Sequence, residues 1–258
     1  MKKFSYIHTD LYKYYISILK THEVNLKKTL KLMLADIIEI TDNKILIPTY
    51  NYDFSKTKTY NYYKDKSHVG YFSEYFRGLF KENRTETPIF SDCSNFKLDE
   101  KNKSLNPFGK GSIFDELTNG NGKILTFGSS FAPSYIMYVE NCIPKGPRYR
   151  FIKKFDGELV KNKKKMKTEI KFYCRPLNVY FKYDLNKIKK DLIKEGILKK
   201  KSTENGFKYL SFYAKEFKEF ALSKINKNNF YFLDKKTSTM IKTYLKKNYR
   251  ISRLDFEK

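Results

Sequence analysis

Three short polar clusters in this sequence stand close to predicted strands, where open α/β sheets bind ligands. The first lies within residues 122–140, where Ser134, Met137 and Glu140 are spaced by three after an apolar run and a turn of glycine and serines. Pro133 is compatible with the start of a helix but not with a continuing strand. These residues therefore predict a strand, a turn and a helix that brings polar groups to the mouth of a sheet.

The other two clusters are suited to the same edge of the sheet. His8 and Thr9 follow a first predicted strand at residues 4–7. Gly111 and Ser112 close a two-glycine turn before a short predicted helix, so their backbone N–H groups are suited to an anion or a carbonyl oxygen. Turns of this kind are common, and on its own this one is better explained as a structural feature.

His68 is a separate candidate, because histidine changes its charge close to neutral pH. We expect Ser67 to cap a helix that runs to Leu79, which places His68 in the first turn. A lone histidine in that position is more often a surface residue than a catalytic one.

The elements that must position these residues alternate between strands and helices. Apolar residues recur at helical spacing over residues 25–40, and a second strand follows at residues 44–50. The first two strands should therefore pair in parallel through a right-handed crossover. Farther along, residues 155–160 and 167–173 form a predicted hairpin with a lysine-rich tip, followed by a helix at residues 185–196. A second strand pair and a helix with apolar residues from Phe217 to Ile225 come next, and residues 239–248 form a basic helix.

The predicted fold class is α/β, with a mixed, mostly parallel central sheet flanked by helices and a C-terminal α+β extension. We expect residues 1–155 to form an α/β core. Residues 156–258 should form a hairpin and helical extension packed on it, giving one compact domain overall.

The charge of the chain indicates which class of partner it attracts. Lys and Arg outnumber Asp and Glu by 53 to 28, and the net charge of +25 concentrates anionic partners. A general bias toward lysine would produce the same excess.

Three widely spaced cysteines indicate neither a disulfide framework nor a metal site, so we expect a reducing cytoplasm and no metal. Without a signal peptide or an apolar segment of spanning length, the sequence predicts a soluble protein.

The motifs, taken in order, resemble the aminoglycoside N3-acetyltransferase family, also called the antibiotic N-acetyltransferase family. The resemblance runs from about Tyr6 to Ile225 and rests on order and spacing. The segments that carry it are Y-I-H-T-D-L from residue 6, I-L-I-P-T-Y from residue 45, S-H-V-G from residue 67, R-T-E-T-P-I-F-S from residue 84, G-K-G-S-I-F from residue 109, residues 122–140, and Y-R at residues 149–150.

This resemblance implies transfer of an acyl group from a coenzyme A thioester to the amine of a sugar, with residues 1–155 as an acyltransferase-like core. The residues that it implies for binding the coenzyme are His8, Thr9, Gly111, Ser112, Tyr149 and Arg150. The residues considered for the acyl-transfer site are Ser134, Met137, Glu140 and His68.

Met137 departs from the family motif, because it stands where the acid–base histidine is expected and has no titratable proton. Thr87 also replaces an expected His or Asp. Three explanations are open. Glu140, His68 or Glu86 acts as the base; the amine binds already neutral; or the chain is no longer an acyltransferase.

The sequence thus predicts an acyl-CoA-dependent N-acyltransferase that acts on an amino sugar of a surface glycan or on its nucleotide-linked precursor. Aminoglycosides are polycations, and a strongly basic chain is poorly suited to bind them. The alternative is a catalytically silent homologue that binds an anionic partner such as nucleic acid, with Tyr60, Tyr62 and Tyr63 stacking on bases. The acyl group, the acceptor and the oligomeric state, a homodimer included, are left open.

Overall fold

The structure is a computed structural model that describes residues 3–19, 25–41, 43–98, 106–129, 131, 133–176, 179–247 and 250–252. Within these residues, strands form one six-stranded and one three-stranded sheet. The strands are β1 (Ser5–Thr9), β2 (Ile45–Pro48), β3 (Thr59–Asn61), β4 (Asp92–Ser94), β5 (Lys123–Phe127), β6 (Phe151–Lys161), β7 (Lys164–Cys174), β8 (Lys199–Ser202) and β9 (Lys208–Tyr213).

The helices of the described residues mostly begin at a polar capping side chain. Asn25 and Asp234, for example, accept the N–H groups of Lys28 and Thr237 at 2.9 and 2.7 Å, which satisfies donors that a helix leaves free at its start. The helices are α1 (Leu11–Ile18), α2 (Leu26–Ile40), α3 (Phe54–Thr57), α4 (Tyr71–Phe80), α5 (Ile113–Asn119), α6 (Pro133–Asn141), α7 (Leu185–Lys194), α8 (Ala214–Lys227) and α9 (Lys235–Leu245).

The larger sheet has the strand order β4-β2-β1-β5-β9-β8. Its centre is parallel, since β1 pairs in parallel with both β2 and β5. Strands β4 and β9 run antiparallel to their neighbours β2 and β5. This arrangement confirms the predicted α/β fold class and the parallel pairing of the first two strands, and it brings the carboxyl ends of β1, β2 and β5 to one edge.

Each face of this sheet is covered by its own hydrophobic core. Alternate residues of β1 divide between the two cores: Tyr6 belongs to one and Ile7 to the other. Helices α1, α2 and α4 cover the face of Ile7. Helices α5, α6, α7 and α8, together with the smaller sheet, cover the face of Tyr6.

The smaller sheet is the predicted hairpin with one added strand. Strands β6 and β7 pair antiparallel over their full lengths, and β3 joins β6 in parallel. The hairpin turns at Asn162 and Lys163, both of which have positive φ angles. Its strands begin three or four residues before the predicted ones and end one residue after them.

The C-terminal part of the chain contributes directly to the main sheet. Strand β9 lies beside β5, and β8 lies beside β9. The predicted boundary between residues 155 and 156 falls inside β6. We therefore propose that residues 1–155 and 156–258 share one core and form a single domain.

Two local predictions are wrong. Helix α4 begins at Tyr71, after Gly70, so His68 precedes the helix and does not lie in its first turn. Tyr60 and Tyr62 are 1% and 2% exposed, and their hydroxyls donate to the carbonyls of Thr85 and Arg84. They are core residues and cannot stack on nucleic acid bases.

Among the described residues, no helix combines the length and apolar character needed to cross a bilayer.

Candidate functional site

The carboxyl ends of β1 and β5 hold two polar atoms without partners. His8 and Thr126 are opposite each other in the β1–β5 register. The Nε2 atom of His8 and the Oγ1 atom of Thr126 are buried and make no hydrogen bond. Burial lowers the pKa of His8 to about 4, so its imidazole is neutral at physiological pH. Unpaired buried polar atoms are costly, and two side by side mark a place where a ligand would find partners.

A hydrogen-bonded chain of side chains lies on the same face of the sheet. The Tyr6 hydroxyl donates to Asp92 Oδ1 at 2.7 Å and lies 2.9 Å from the Tyr50 hydroxyl. The Ser134 hydroxyl, in the first turn of α6, adjoins Tyr50 and acts to lower the pKa of its hydroxyl, against the larger effect of burial. The Tyr6 and His8 rings are 5.1 Å apart. We call Ser134, Tyr50, Tyr6 and Asp92 the tyrosine relay.

A basic groove of about 740 Å³ adjoins this edge of the sheet and shares Thr126 with it. Lysines from four different elements line it, and no described lining residue is acidic. Only Lys13 pairs with a carboxylate among the described residues, at 3.5 Å from Asp10. The groove is therefore suited to an anion with several charges. Its lysines are Lys13, Lys189, Lys200, Lys201 and Lys208.

The turn after β5 connects the groove to the relay. Gly128 has a φ angle of 81°, which favours glycine, and an added Cβ would lie 3.0 Å from the Asp10 carbonyl oxygen. The Lys13 ammonium donates to the Gly128 carbonyl at 3.0 Å, and the Ser129 hydroxyl donates to the His8 carbonyl at 3.1 Å. The turn is thus fixed against the end of β1.

Thr9 faces a second cavity, of about 580 Å³, lined mainly by aromatic and apolar groups. Tyr12, Tyr15 and Tyr71 are among its lining residues, together with Gly70 at the start of α4. Of the predicted coenzyme-binding residues, Thr9 is the one that lines this cavity.

Gly111 and Ser112 form the predicted turn, but their N–H groups already have partners. The Gly111 N–H donates to Asp115 Oδ2 at 2.8 Å, and the Ser112 N–H donates to the Gly109 carbonyl at 3.1 Å. The Ser112 hydroxyl caps α5 by accepting the Asp115 N–H. These contacts favour the structural reading of the turn over the binding of a thioester.

Glu140, Tyr149 and Arg150 come together, but in the interior. The Glu140 carboxylate is fully buried and accepts hydrogen bonds from Tyr149 at 2.7 Å, Arg150 Nε at 2.6 Å and Tyr183 at 2.8 Å. Arg150 also donates to the Tyr183 hydroxyl and to the Tyr173 carbonyl. The Glu140 carboxylate cannot reach a substrate in this conformation, so these contacts favour a structural role for all three predicted residues.

His68 and Met137 lie apart from this cluster. The His68 backbone N–H donates to the Tyr50 carbonyl at 2.8 Å, and its ring is partly exposed, 3.5 Å from Asp53. Met137 lies on α6, one turn after Ser134, and packs against the core on the Tyr6 face. The structure thus brings Ser134 and His8 to one edge, with the backbone of His68 bonded there to Tyr50.

Sequence reasoning missed Tyr6, Tyr50, Asp92 and Thr126. Alternation along the first strand places Tyr6 and His8 on one face, so Tyr6 could have been found. Asp92 could not, because the antiparallel pairing of β4 with β2 has no signal in the sequence.

Comparisons with known proteins agree with this fold. The sequence matches the family "Aminoglycoside 3-N-acetyltransferase" over residues 40–225. No curated protein matches the sequence significantly.

Solved structures with the same fold have low sequence identity to this chain. AAC-IIIb, described as binary with CoASH, is 11% identical with a TM-score of 0.65, over 86% of this chain and 89% of that one. YokD from Bacillus subtilis is 16% identical with a TM-score of 0.62, over 87% of each chain. Aminoglycoside acetyltransferase AAC(3)-Xa is 13% identical with a TM-score of 0.62, over 86% and 85%.

At these identities the structural likeness shows the fold, and the sequence match, which covers most of the chain, shows the family. The predicted resemblance is therefore confirmed: the chain belongs to the aminoglycoside 3-N-acetyltransferase family and is an acyltransferase.

Proposed function

We propose that this protein transfers an acetyl or similar short acyl group from a coenzyme A thioester to the amine of a phosphate-bearing sugar, such as a nucleotide-linked amino sugar. The observation that carries the acceptor class is the basic groove beside the end of β5. Phosphate groups are the common anions of such acceptors, and several unpaired lysines in one groove bind them through their summed field. An acceptor that belongs to a surface glycan would reach this site at its precursor stage.

The coenzyme fits the same region. Its adenine and pantetheine arm would suit the aromatic cavity beside Thr9, and its phosphates would suit either the mouth of that cavity or the basic groove. The unpaired atoms of His8 and Thr126 lie at the end of the strands between the two cavities, where the thioester would meet the amine. His8, being neutral, can donate a hydrogen bond there without adding charge.

An aminoglycoside is a poorer acceptor for this chain. A third cavity, of about 760 Å³ beside the hairpin, contains Glu86, Asp156, Glu158 and Glu169, and also Lys167. Glu86, Glu158 and Glu169 each pair with a lysine, at 2.9, 3.1 and 2.9 Å respectively. Among the described residues Asp156 is the one carboxylate of the four without a lysine partner, so most of the negative charge is neutralised and the cavity offers little to a polycation.

The test is thiol release from acetyl-CoA with two acceptors, UDP-linked glucosamine and gentamicin. We expect a kcat/KM at least tenfold higher for the UDP-linked sugar, falling as salt rises because its phosphates are held by exposed lysines. Higher activity with gentamicin would overturn the acceptor class. Absence of turnover with both, together with absence of acetyl-CoA binding by calorimetry, would overturn the acyltransferase proposal.

The double variant Lys200→Ala/Lys201→Ala tests whether the groove binds the phosphates of the acceptor sugar or those of the coenzyme. We expect the KM for the UDP-linked sugar to rise about tenfold with that for acetyl-CoA unchanged; the reverse pattern would assign the groove to the coenzyme. The control is Lys163→Ala at the hairpin tip, which removes one exposed lysine from the protein and none from the groove. If neither KM changes in the double variant, the groove is not a phosphate site.

A cytoplasmic location is part of the proposal. It is supported by Cys93, Cys142 and Cys174, which are all free thiols.

A further inference from the structure

The tyrosine relay links the surface of α6 to a buried carboxyl group. Ser134 is partly exposed in the first turn of α6, whereas Tyr6, Tyr50 and Asp92 are all 5% exposed or less. The three buried members are hydrogen-bonded in series, with 2.9 Å between the two tyrosine oxygens and 2.7 Å from Tyr6 to Asp92, and the Ser134 hydroxyl adjoins Tyr50 at the outer end. Hydroxyl groups both donate and accept, so a proton can pass along such a chain by one small shift at each oxygen.

Among the described residues, no lysine or arginine forms an ion pair with Asp92. Arg84 acts on it electrostatically, but the Arg84 guanidinium donates to the Ser91 hydroxyl and to backbone carbonyls of Tyr62, Asp65 and Thr49. The titratable groups that face Asp92 are Tyr6 from β1, Tyr50 after β2, Cys93 on its own strand and the Arg84 cation.

These surroundings make Asp92 able to exchange a proton near neutral pH. Burial raises its pKa to about 8, although the hydrogen bond from Tyr6 and the charge of Arg84 both oppose the rise. Burial raises the pKa of both tyrosines well above the usual value, so each stays a neutral hydroxyl that hands a proton on without storing a charge.

We infer that Asp92 is the proton acceptor of the acyl transfer, reached from the substrate amine through Ser134, Tyr50 and Tyr6. This inference rests on the proposed function. Met137, one turn along α6, has no proton to transfer, and the Glu140 carboxylate is enclosed by its own partners. The relay connects this helix turn to Asp92, whose carboxyl group can exchange a proton near neutral pH.

The substrate ammonium gives one proton to the Ser134 oxygen, Ser134 gives its own to Tyr50, Tyr50 gives its own to Tyr6, and Tyr6 gives its own to the Asp92 carboxylate. The neutral amine then attacks the thioester carbonyl. The C–N bond forms, the C–S bond breaks, and the proton still in excess on nitrogen passes to the leaving sulfur. Asp92 returns its proton to solvent along the same path, so one proton is released per turnover.

The first experiment is the pH profile of kcat for the wild type and Asp92→Asn. The asparagine oxygen can still accept the Tyr6 hydroxyl, but it cannot take up a proton. We expect wild-type kcat to rise with pH to a plateau with an inflection near pH 8. In Asp92→Asn we expect kcat to fall by about 10²- to 10⁴-fold and that inflection to vanish, with the KM for acetyl-CoA within twofold.

Two further variants make this result specific. Tyr50→Phe interrupts the relay and should reproduce the loss of the inflection. Thr85→Ala removes the hydroxyl that accepts the Asp92 backbone N–H at 2.9 Å and leaves the relay intact, so it should lower thermal stability and keep the inflection. An inflection that persists in Asp92→Asn belongs to the substrate amine and would overturn the inference.

A measurement on the wild-type protein covers the case in which Asp92→Asn does not fold. Carbon-13 spectra of protein labelled at aspartate carboxyl carbons should show one carboxyl that titrates near pH 8. The inference is wrong if every aspartate titrates below about pH 5. This result is independent of turnover, so an inactive wild type would count against the proposed function and leave the test of Asp92 in place.

Discussion

Glu140, which pairs with Arg150 in the interior, has a structural role in the fold although its position in the sequence suggests a catalytic one. A carboxylate three residues after Met137 looks like a replacement base in the sequence. In the folded chain it accepts three hydrogen bonds from groups that are themselves buried. Its charge raises the pKa of the Arg150 guanidinium despite the opposing effect of burial. The carboxylate is thus the counterion that allows an arginine to stay charged in the core.

Replacing Glu140 with glutamine should therefore destabilise the protein. Glu140→Gln leaves the Arg150 charge buried without a counterion, and we expect a loss of about 3–5 kcal/mol in the free energy of unfolding, measured by urea denaturation. Glu158→Gln is the matched control, because the Glu158 side chain is 46% exposed and pairs with Lys165 on the surface. Its loss should stay below about 1 kcal/mol. Equal midpoints for Glu140→Gln and the wild type would contradict the structural role.

At the scale of elements, the hairpin is held against β3 by a close approach of two backbones. Gly157 lies in β6 beside Lys58, whose carbonyl accepts the Glu158 N–H at 2.8 Å. A Cβ added at Gly157 would stand 2.2 Å from that carbonyl oxygen and 2.7 Å from the Phe54 ring. Neither the backbone nor a buried ring can move easily, so only glycine fits.

The change Gly157→Ala should loosen the hairpin and destabilise the fold by about 2 kcal/mol or more, by analogy with other overpacked sites. Gly78→Ala is the matched control. Gly78 lies in α4, and a Cβ there meets nothing within 4 Å. Alanine is the better helix former, so this variant should be stabilised by up to about 1 kcal/mol. Thermal and urea unfolding of both variants measure the difference, and an unchanged Gly157→Ala would refute the close approach.

The elements that could be predicted from the sequence are those that bury a regular face. The parallel strands, helix α2 and the hairpin follow from periodicity and turn residues, because each element buries a regular face. The start of α4 was missed because Gly70, not Ser67, sets it. The burial of Tyr60 and Tyr62 was missed because residues 51–66 look like a polar loop, whereas their rings fill the core beneath the smaller sheet.

The candidate site was harder to predict, because residues far apart in sequence assemble it. Ser134 and His8 stand at recognisable strand and helix ends. Asp92 reaches Tyr6 only through the pairing of β4 with β2, and the lysines of the basic groove come from α1, α7, β8 and the start of β9. Spread along the chain, those lysines look like compositional bias. Only the order of strands in the main sheet brings them together.

At the scale of the whole molecule, the C-terminal segment completes the core that the N-terminal segment begins. Strand β9 pairs with β5 from Lys123 to Thr126, opposite the edge that pairs with β1. Helix α8 adds Phe217 and Phe220 to the core on the Tyr6 face. Without this segment, β5 would become an exposed, apolar edge strand, which is an aggregation site.

A fragment of residues 1–155 should consequently fail to fold by itself. We expect it to show no cooperative urea transition and to aggregate, because it lacks β7, β8, β9 and the whole of α8. Residues 156–258 expressed in the same cells should rescue it, since the missing strands and core residues are then supplied in trans. The pair should co-purify and unfold in one transition. If residues 1–155 unfolded cooperatively on their own, the protein would have two domains. The boundary between residues 155 and 156 would then be a domain boundary, and the proposal of a single domain would be wrong.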